Sequence, residues 1–222
     1  MSKVEIFESE RATGYNQFVE TWITNYQYFL ECLPKLLKET DNKDLLVVGC
    51  GTGNEIEQFV QAPEHWKITG IDPSPEMILQ AREKLKGYEY VMLIEGLITD
   101  LPIEKKYNAA TLLLVLHFLE DNGSKLNLLK DIAGRLVSGA TFVMLDITVA
   151  TSQIRQSLEI YRLLLPDNLD KQEISTRLHR MENKLYLVSE ERIAELCTEA
   201  GFEKPLRFFQ SSIYIGWITK KK

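Results

Sequence analysis

The chain has 222 residues, 45% hydrophobic and 26% charged, which is enough for one ordinary core and unlike the composition of a disordered segment. Its formal net charge of −6 argues against direct nucleic-acid binding, because phosphate contacts call for a basic face and the three lysines at 220–222 read as a solvated tail. Scattered Cys32, Cys50 and Cys197, with His65, His117 and His179, give neither a disulfide framework nor metal-ligand spacing, so no metal is expected. The first eighteen residues lack an apolar leader and no run approaches a membrane span, so the expectation is a cytoplasmic protein without a membrane partner.

In chain order, 17–40 comes first, with Phe18, Trp22, Tyr26, Phe29, Leu30, Leu33 and Leu37 at mostly helical spacing. Pro34 is expected to break or kink that helix. Short apolar, β-branched runs follow at 45–48, 67–72, 89–95, 107–115 and 140–148, with helical patterns at 54–61, 75–86 and 123–136 between them. Such alternation predicts a parallel sheet covered on both faces, with ligands bound at the strand C-termini. Residues 152–183 read as two helices separated by "LPDNLD", Pro166 stopping the first and Asp167 or Asn168 capping the second. Ser189 caps a last helix, and two β-like runs then form a terminal hairpin that adds antiparallel strands. The domain expectation is a single unit: a helical cap (1–43), a core (44–149), a helical lid (150–188) and a terminal helix and hairpin (189–222).

"LLVVGCGTGNEI" (45–56) places Gly49, Cys50, Gly51 and Gly53 directly after the first strand. Glycines there let a ligand approach the backbone, and the following helix aims free N–H groups at it. The third glycine comes one residue too early for the dinucleotide fingerprint G-x-G-x-x-G, which counts against a pyrophosphate. Asp72 ends the next strand about 20 residues after the loop, where an acid accepts from ribose hydroxyls. Pro73 and Pro75 stiffen the turn and Ser74 is placed to cap the next helix.

The loop and the acid, together with "EGLITDLP", "YNAATLLLVLHFLED", "LLKDIAGRLVSGATFVMLDI" and the terminal hairpin, resemble class I S-adenosylmethionine-dependent methyltransferases. The resemblance implies an α/β, Rossmann-like, seven-stranded mixed sheet with a C-terminal antiparallel hairpin, and S-adenosyl-L-methionine as cofactor. By the same resemblance, Gly49 to Gly53 face the methionine part and ribose, Asp72 holds the ribose hydroxyls, and Pro73 and Met77 lie near the adenine. Leu97 and Ile98 flank the other side of the ring, and Leu113 offers its backbone near the amino acid. Two positions depart from the family pattern: Val47 stands where an acid usually precedes the loop, and Leu97 where an aspartate usually receives the adenine amino group. Asp100 lies three residues beyond Leu97.

Methyl transfer needs alignment and exclusion of water, and a general base only if the nucleophile arrives protonated. Catalytic residues are therefore not legible. His117, after the fourth strand, is a candidate to abstract a proton or hold substrate. Tyr26 is a candidate to cover the sulfonium by a cation–π contact. Tyr15 near the start, and Arg177 and His179 on the inserted helices, are candidate acceptor contacts. The expected acceptor is a small molecule.

Residues 173–210, with "TNYQYFL" and "LLVLHFLE", are similar to the carboxy-S-adenosylmethionine synthase family of transfer-RNA wobble-uridine modification. That family uses an arginine in the inserted helix for a carboxylate. The matching position is Leu178, with Arg177 and Arg180 on other faces. The resemblance implies a shared architecture with a different acceptor, and either a homodimer through the inserted helices or a monomer's lid. A non-catalytic cofactor-binding protein on the same fold is the third reading.

Overall fold

In the computed structural model, which describes residues 4–222, one seven-stranded sheet runs through the molecule. Its strands are β1 (Asp44–Val48), β2 (Lys67–Asp72), β3 (Val91–Glu95), β4 (Tyr107–Leu113), β5 (Leu136–Ile147), β6 (Leu206–Ser211) and β7 (Tyr214–Lys220). Their order is β3-β2-β1-β4-β5-β7-β6, parallel from β3 to β5, with β7 antiparallel to both neighbours. The chain leaves β1 toward β2 on one side and reaches β4 on the other. That switch of direction opens a crevice at the strand C-termini.

Alternate residues of each strand serve opposite layers. Leu45 and Val47 of β1 pack with Ile68, Val143 and Leu145, while Leu46 and Val48 pack with Ile71, Leu112 and Phe142. A strand apolar on both sides must be covered on both, and it is. Helices α4 (Asn54–Gln61) and α5 (Pro75–Lys84) cover the first face through Ile56, Phe59 and Ile78. Helices α6 (Ser124–Gly134) and α9 (Glu190–Glu199) cover the second through Leu129, Ile132, Ile193 and Leu196. Each such buried side chain contributes roughly 1.5–3 kcal/mol.

The N-terminal segment differs from the expectation. It forms α1 (Glu10–Thr13), α2 (Tyr15–Trp22) and α3 (Tyr26–Leu36), and Pro34 lies inside α3. Proline there removes only a bond to the carbonyl one turn back, and the helix ends two residues later. The break falls instead after Trp22. Ile23 is extended, and Asn25 takes a left-handed φ of 62°, which asparagine tolerates better than most residues.

Between β5 and α9 lie α7 (Ile154–Leu163) and α8 (Lys171–Lys184). Asp170, rather than Asp167 or Asn168, caps α8 by accepting from the N–H groups of Gln172 and Glu173, each at 2.9 Å. The earlier residues are spent in a turn that Leu169 N closes on Pro166 O. Ser189 caps α9 as expected. Helix α6 stops at Gly134 and β5 starts at Leu136, not at 140, because the β4 pairing jumps from Tyr107–Leu136 to Ala109–Thr141 and absorbs the extra residues in a bulge. At the other end β4 stops at Leu113 rather than 115. Leu114 takes φ 60° and its N–H reaches Leu145 O at 2.7 Å. Residues 89–90 precede β3 in a turn.

Candidate functional site

A cleft of about 1290 Å³ opens over the C-terminal ends of β1, β2 and β4. Its floor is the glycine loop. Gly49 N and Cys50 N both donate to Ile71 O, at 2.8 and 3.1 Å, which folds the loop against β2. Gly49 has φ 71°, and a Cβ there would meet Val115 Cγ2 at 2.5 Å. No other residue fits without displacing the chain that follows β4.

Asp72 lines the cleft at the tip of β2, and one N–H occupies each of its oxygens. Oδ2 accepts from Gly51 N at 3.0 Å and Oδ1 from Ser74 N at 2.8 Å. Burial raises its carboxyl above the ordinary value, and the Ser74 and Gly51 amides act in the opposite sense. A carboxylate oxygen has two acceptor directions, so each oxygen keeps one for a ligand. Ser74 begins α5, but its side chain does not cap it. Ser74 Oγ accepts instead from Phe7 N at 3.0 Å, which ties the N-terminal segment over the cleft. Pro73, Met77, Leu97 and Ile98 line this same end, and Leu113 lines the cleft from β4. Asp100 folds back on its own turn, with Oδ2 accepting from Leu97 N at 2.7 Å.

The opposite end lies beneath α2 and α8, where Phe18, Trp22, Arg177 and Tyr214 line the wall, while Tyr15 stands over the glycine loop, its ring 3.9 Å from the place of a Cβ on Gly51. Burial raises the Tyr15 hydroxyl pKa, and the nearby Glu55 and Asp72 raise it further. His117 sits between the two ends, in the turn after β4. It is 6% exposed, lines the cleft, and its Nδ1 is 2.8 Å from Asp146 Oδ1. Asp146, on β5, also accepts from Leu116 N and Ile147 N, each at 2.8 Å, so the carboxylate is fixed before it orients the ring. In a neutral ring, donation from Nδ1 to Asp146 would leave Nε2 as the acceptor.

Four expected site residues point elsewhere. Tyr26 is buried in the core cluster beneath α3, since its position on that helix faces the sheet. The Cys50 side chain packs toward Gly70, where a Cβ would come 3.1 Å from its sulfur. Gly53 precedes α4 and faces α5, with Leu85 Cδ1 3.0 Å from the place of a Cβ. His179 is exposed on α8 beside Asn183.

Two acids escaped the sequence reading. Asp146 lies within an apolar strand, "FVMLDI", where an unpaired carboxylate would be costly, and that cost is the signal that a partner exists. Glu55, in the first turn of α4, is 5% exposed and accepts from Thr111 Oγ1. Thr111 pairs with Val47 across β1 and β4, so a carboxyl group from α4 reaches β4 beside Val47. Burial pushes the Glu55 carboxyl up to about 8, the Thr111 hydrogen bond opposing. Among the described residues there is no group of three His, Cys, Asp or Glu side chains suited to a metal, and no helix long and apolar enough to cross a membrane.

The strand order, the terminal hairpin and the cleft at the switch point define a methyltransferase fold. The methyltransferase domain family matches residues 46–142. Carboxy-S-adenosyl-L-methionine synthase of Hydrogenovibrio crunogenus (strain DSM 25203 / XCL-2) is 23% identical over 225 residues, covering 97% of this chain and 88% of that protein. Trans-aconitate 2-methyltransferase of Rhodopseudomonas palustris (strain BisA53) is 39% identical over 51 residues, which span 23% of this chain and only 20% of that enzyme. Among solved structures, the plantazolicin methyltransferase BpumL in complex with SAH superposes with a TM-score of 0.68 at 16% identity, covering 95% of this chain and 89% of that one. The core of the chain, residues 46–142, is thus similar to the methyltransferase domain family, and the whole chain shares the fold of solved methyltransferases.

Proposed function

We propose that the protein transfers a methyl group from S-adenosyl-L-methionine to a small-molecule acceptor bound beneath α2 and α8. The observation that carries this is Asp72, buried at the tip of β2 and holding Gly51 N and Ser74 N while each oxygen keeps an acceptor direction free. The residues suit the cofactor: a loop that excludes a Cβ at Gly49, a carboxylate for a ribose diol, and apolar Pro73, Met77 and Ile98 for a purine. When bound, the cofactor supplies an electrophilic methyl on sulfur.

The chain's own residues do the rest. Phe18 and Trp22 cover the acceptor end, Tyr15 stands between it and the glycine loop, and the segment 150–188 acts as a lid that keeps water out. His117 Nε2 takes the proton of an acceptor hydroxyl, and Asp146 fixes the ring and stabilises the imidazolium that results. Titration calorimetry tests the cofactor: S-adenosylhomocysteine is expected to bind in the micromolar range and NAD not at all. Binding of NAD alone would overturn the proposal. With an acceptor identified by S-adenosylhomocysteine release, His117→Gln is expected to lower kcat by about 10²–10³-fold and leave the S-adenosylhomocysteine Kd within about twofold. An unchanged kcat would remove His117 from the chemistry.

Similarity along nearly the whole chain to a carboxy-S-adenosyl-L-methionine synthase supports a second reading, in which the product is a carboxylated cofactor. Against it, Leu178 packs on the hydrophobic core and offers no charge at the position where that family's arginine is expected. Mass spectrometry of ligand retained through purification separates the two, because a carboxylated cofactor would favour the second.

A further inference from the structure

We infer that the α2–α8 end of the cleft is an anion subsite in which Arg177 receives a carboxylate of the acceptor; the inference rests on reading the cleft as a methyltransferase active site. Most charges around the N-terminal strap are already paired. Glu5 bridges Arg11 at 2.7 Å and Arg180 at 3.0 Å, so these two arginines are committed to holding the strap. Arg177 is different. Among the described residues no carboxylate lies within 4.0 Å of it. Its Nη2 donates to Tyr214 Oη at 2.8 Å, and its Nε is buried without a partner.

The guanidinium is also held in place. Its central carbon lies 4.0 Å from the Phe18 ring centroid and 4.8 Å from that of Trp22. Those rings, one turn apart on α2, stack the planar group and fix the direction of its fork. Arg177 is half-buried with its Nε out of water and no counter-charge beside it, a state that a ligand anion in the cleft would relieve. Bidentate pairing with a carboxylate supplies the missing charge and uses the fork. Glu173, one turn before Arg177 on α8, and Glu10 also line the cleft. They disfavour a dianion such as a phosphate monoester, so a monoanionic carboxylate fits better. Both the helix face and the two aromatic rings are needed to see this. In the sequence alone, Arg177 is a candidate acceptor contact with nothing to show what it would bind.

Benzoate and its uncharged isostere benzamide are the probes, titrated by calorimetry into protein saturated with S-adenosylhomocysteine. Wild type is expected to bind benzoate at least tenfold more tightly than benzamide. Arg177→Met is expected to erase that preference while the S-adenosylhomocysteine Kd stays within twofold, and Arg177→Lys to restore part of it. Equal binding of the two probes, or no benzoate binding at millimolar concentration, overturns the subsite. So does a tenfold loss of S-adenosylhomocysteine affinity in Arg177→Met, because the arginine would then hold the carboxylate of the cofactor's own amino acid. Failure of S-adenosylhomocysteine to bind wild type refutes the methyltransferase reading instead, and the benzoate preference still decides the subsite on protein without it.

Discussion

Asp72→Ala is expected to weaken S-adenosylhomocysteine binding by roughly 10–150-fold, about 1.5–3 kcal/mol, the cost of losing a charged acceptor for two hydroxyls. The geometry adds a second route to the same loss. Asp72 Oδ2 holds Gly51 N at 3.0 Å and Oδ1 holds Ser74 N at 2.8 Å, so the alanine also releases the glycine loop and the start of α5. Asp72→Asn separates the two contributions. The amide keeps one oxygen acceptor for a backbone N–H but presents N–H groups where the other acceptor stood, so it should hold the fold better than it holds the ribose. Calorimetric Kd values set beside urea midpoints for both variants distinguish loss of binding from loss of the loop. A Kd unchanged in Asp72→Ala would place the ribose elsewhere and remove the main support for the proposed site.

How far the sequence was legible depends on how local each determinant is. The segments 67–72 and 54–61 coincide with β2 and α4 because an apolar run, a glycine turn and a helical pattern adjoin one another without needing distant partners. The mixed sheet followed from strand–helix alternation and the terminal pair of β-like runs. Pro34 misled because proline near the end of a helix costs little, whereas the real break depends on Asn25 adopting a left-handed backbone. The bulge that lengthens β5 depends on its register with β4, which no single segment encodes.

The candidate site divides in the same way. Gly49, Asp72, Pro73 and Met77 line the cleft because the loop and strand spacing fixes them there, and Tyr15, His117 and Arg177 line it too. Tyr26 and His179 were misplaced because only tertiary packing decides which way a helix face points. Asp146 was missed because its partner His117 is 29 residues away and the two meet only across β4 and β5.

Glu55→Gln is expected to stabilise the protein at alkaline pH and to change little under mildly acidic conditions. The Glu55 carboxyl has an ordinary value of 4.5 and is pushed up to about 8 in the fold by burial, against the Thr111 hydrogen bond. Between those two values the folded chain keeps a proton that the unfolded chain has released. Stability therefore falls as pH rises from about 4.5 to about 8 and levels off above, because the unfolded state binds fewer protons across that window. Glutamine has no proton to lose and still offers Thr111 an oxygen acceptor. A tenfold difference in proton affinity between the folded and unfolded chains corresponds to about 1.4 kcal/mol, so even half of the displacement makes the variant about 2 kcal/mol more stable than wild type at pH 9. At pH 5 the two should agree within about 1 kcal/mol. Urea unfolding of both proteins at the two pH values isolates this residue, because Asp72 and every other titrating group are common to both. Parallel pH profiles would show that Glu55 is ionised in the folded protein. The carboxyl behind the glycine loop would then be a fixed negative charge rather than a neutral hydrogen-bonding group reaching β4 from α4.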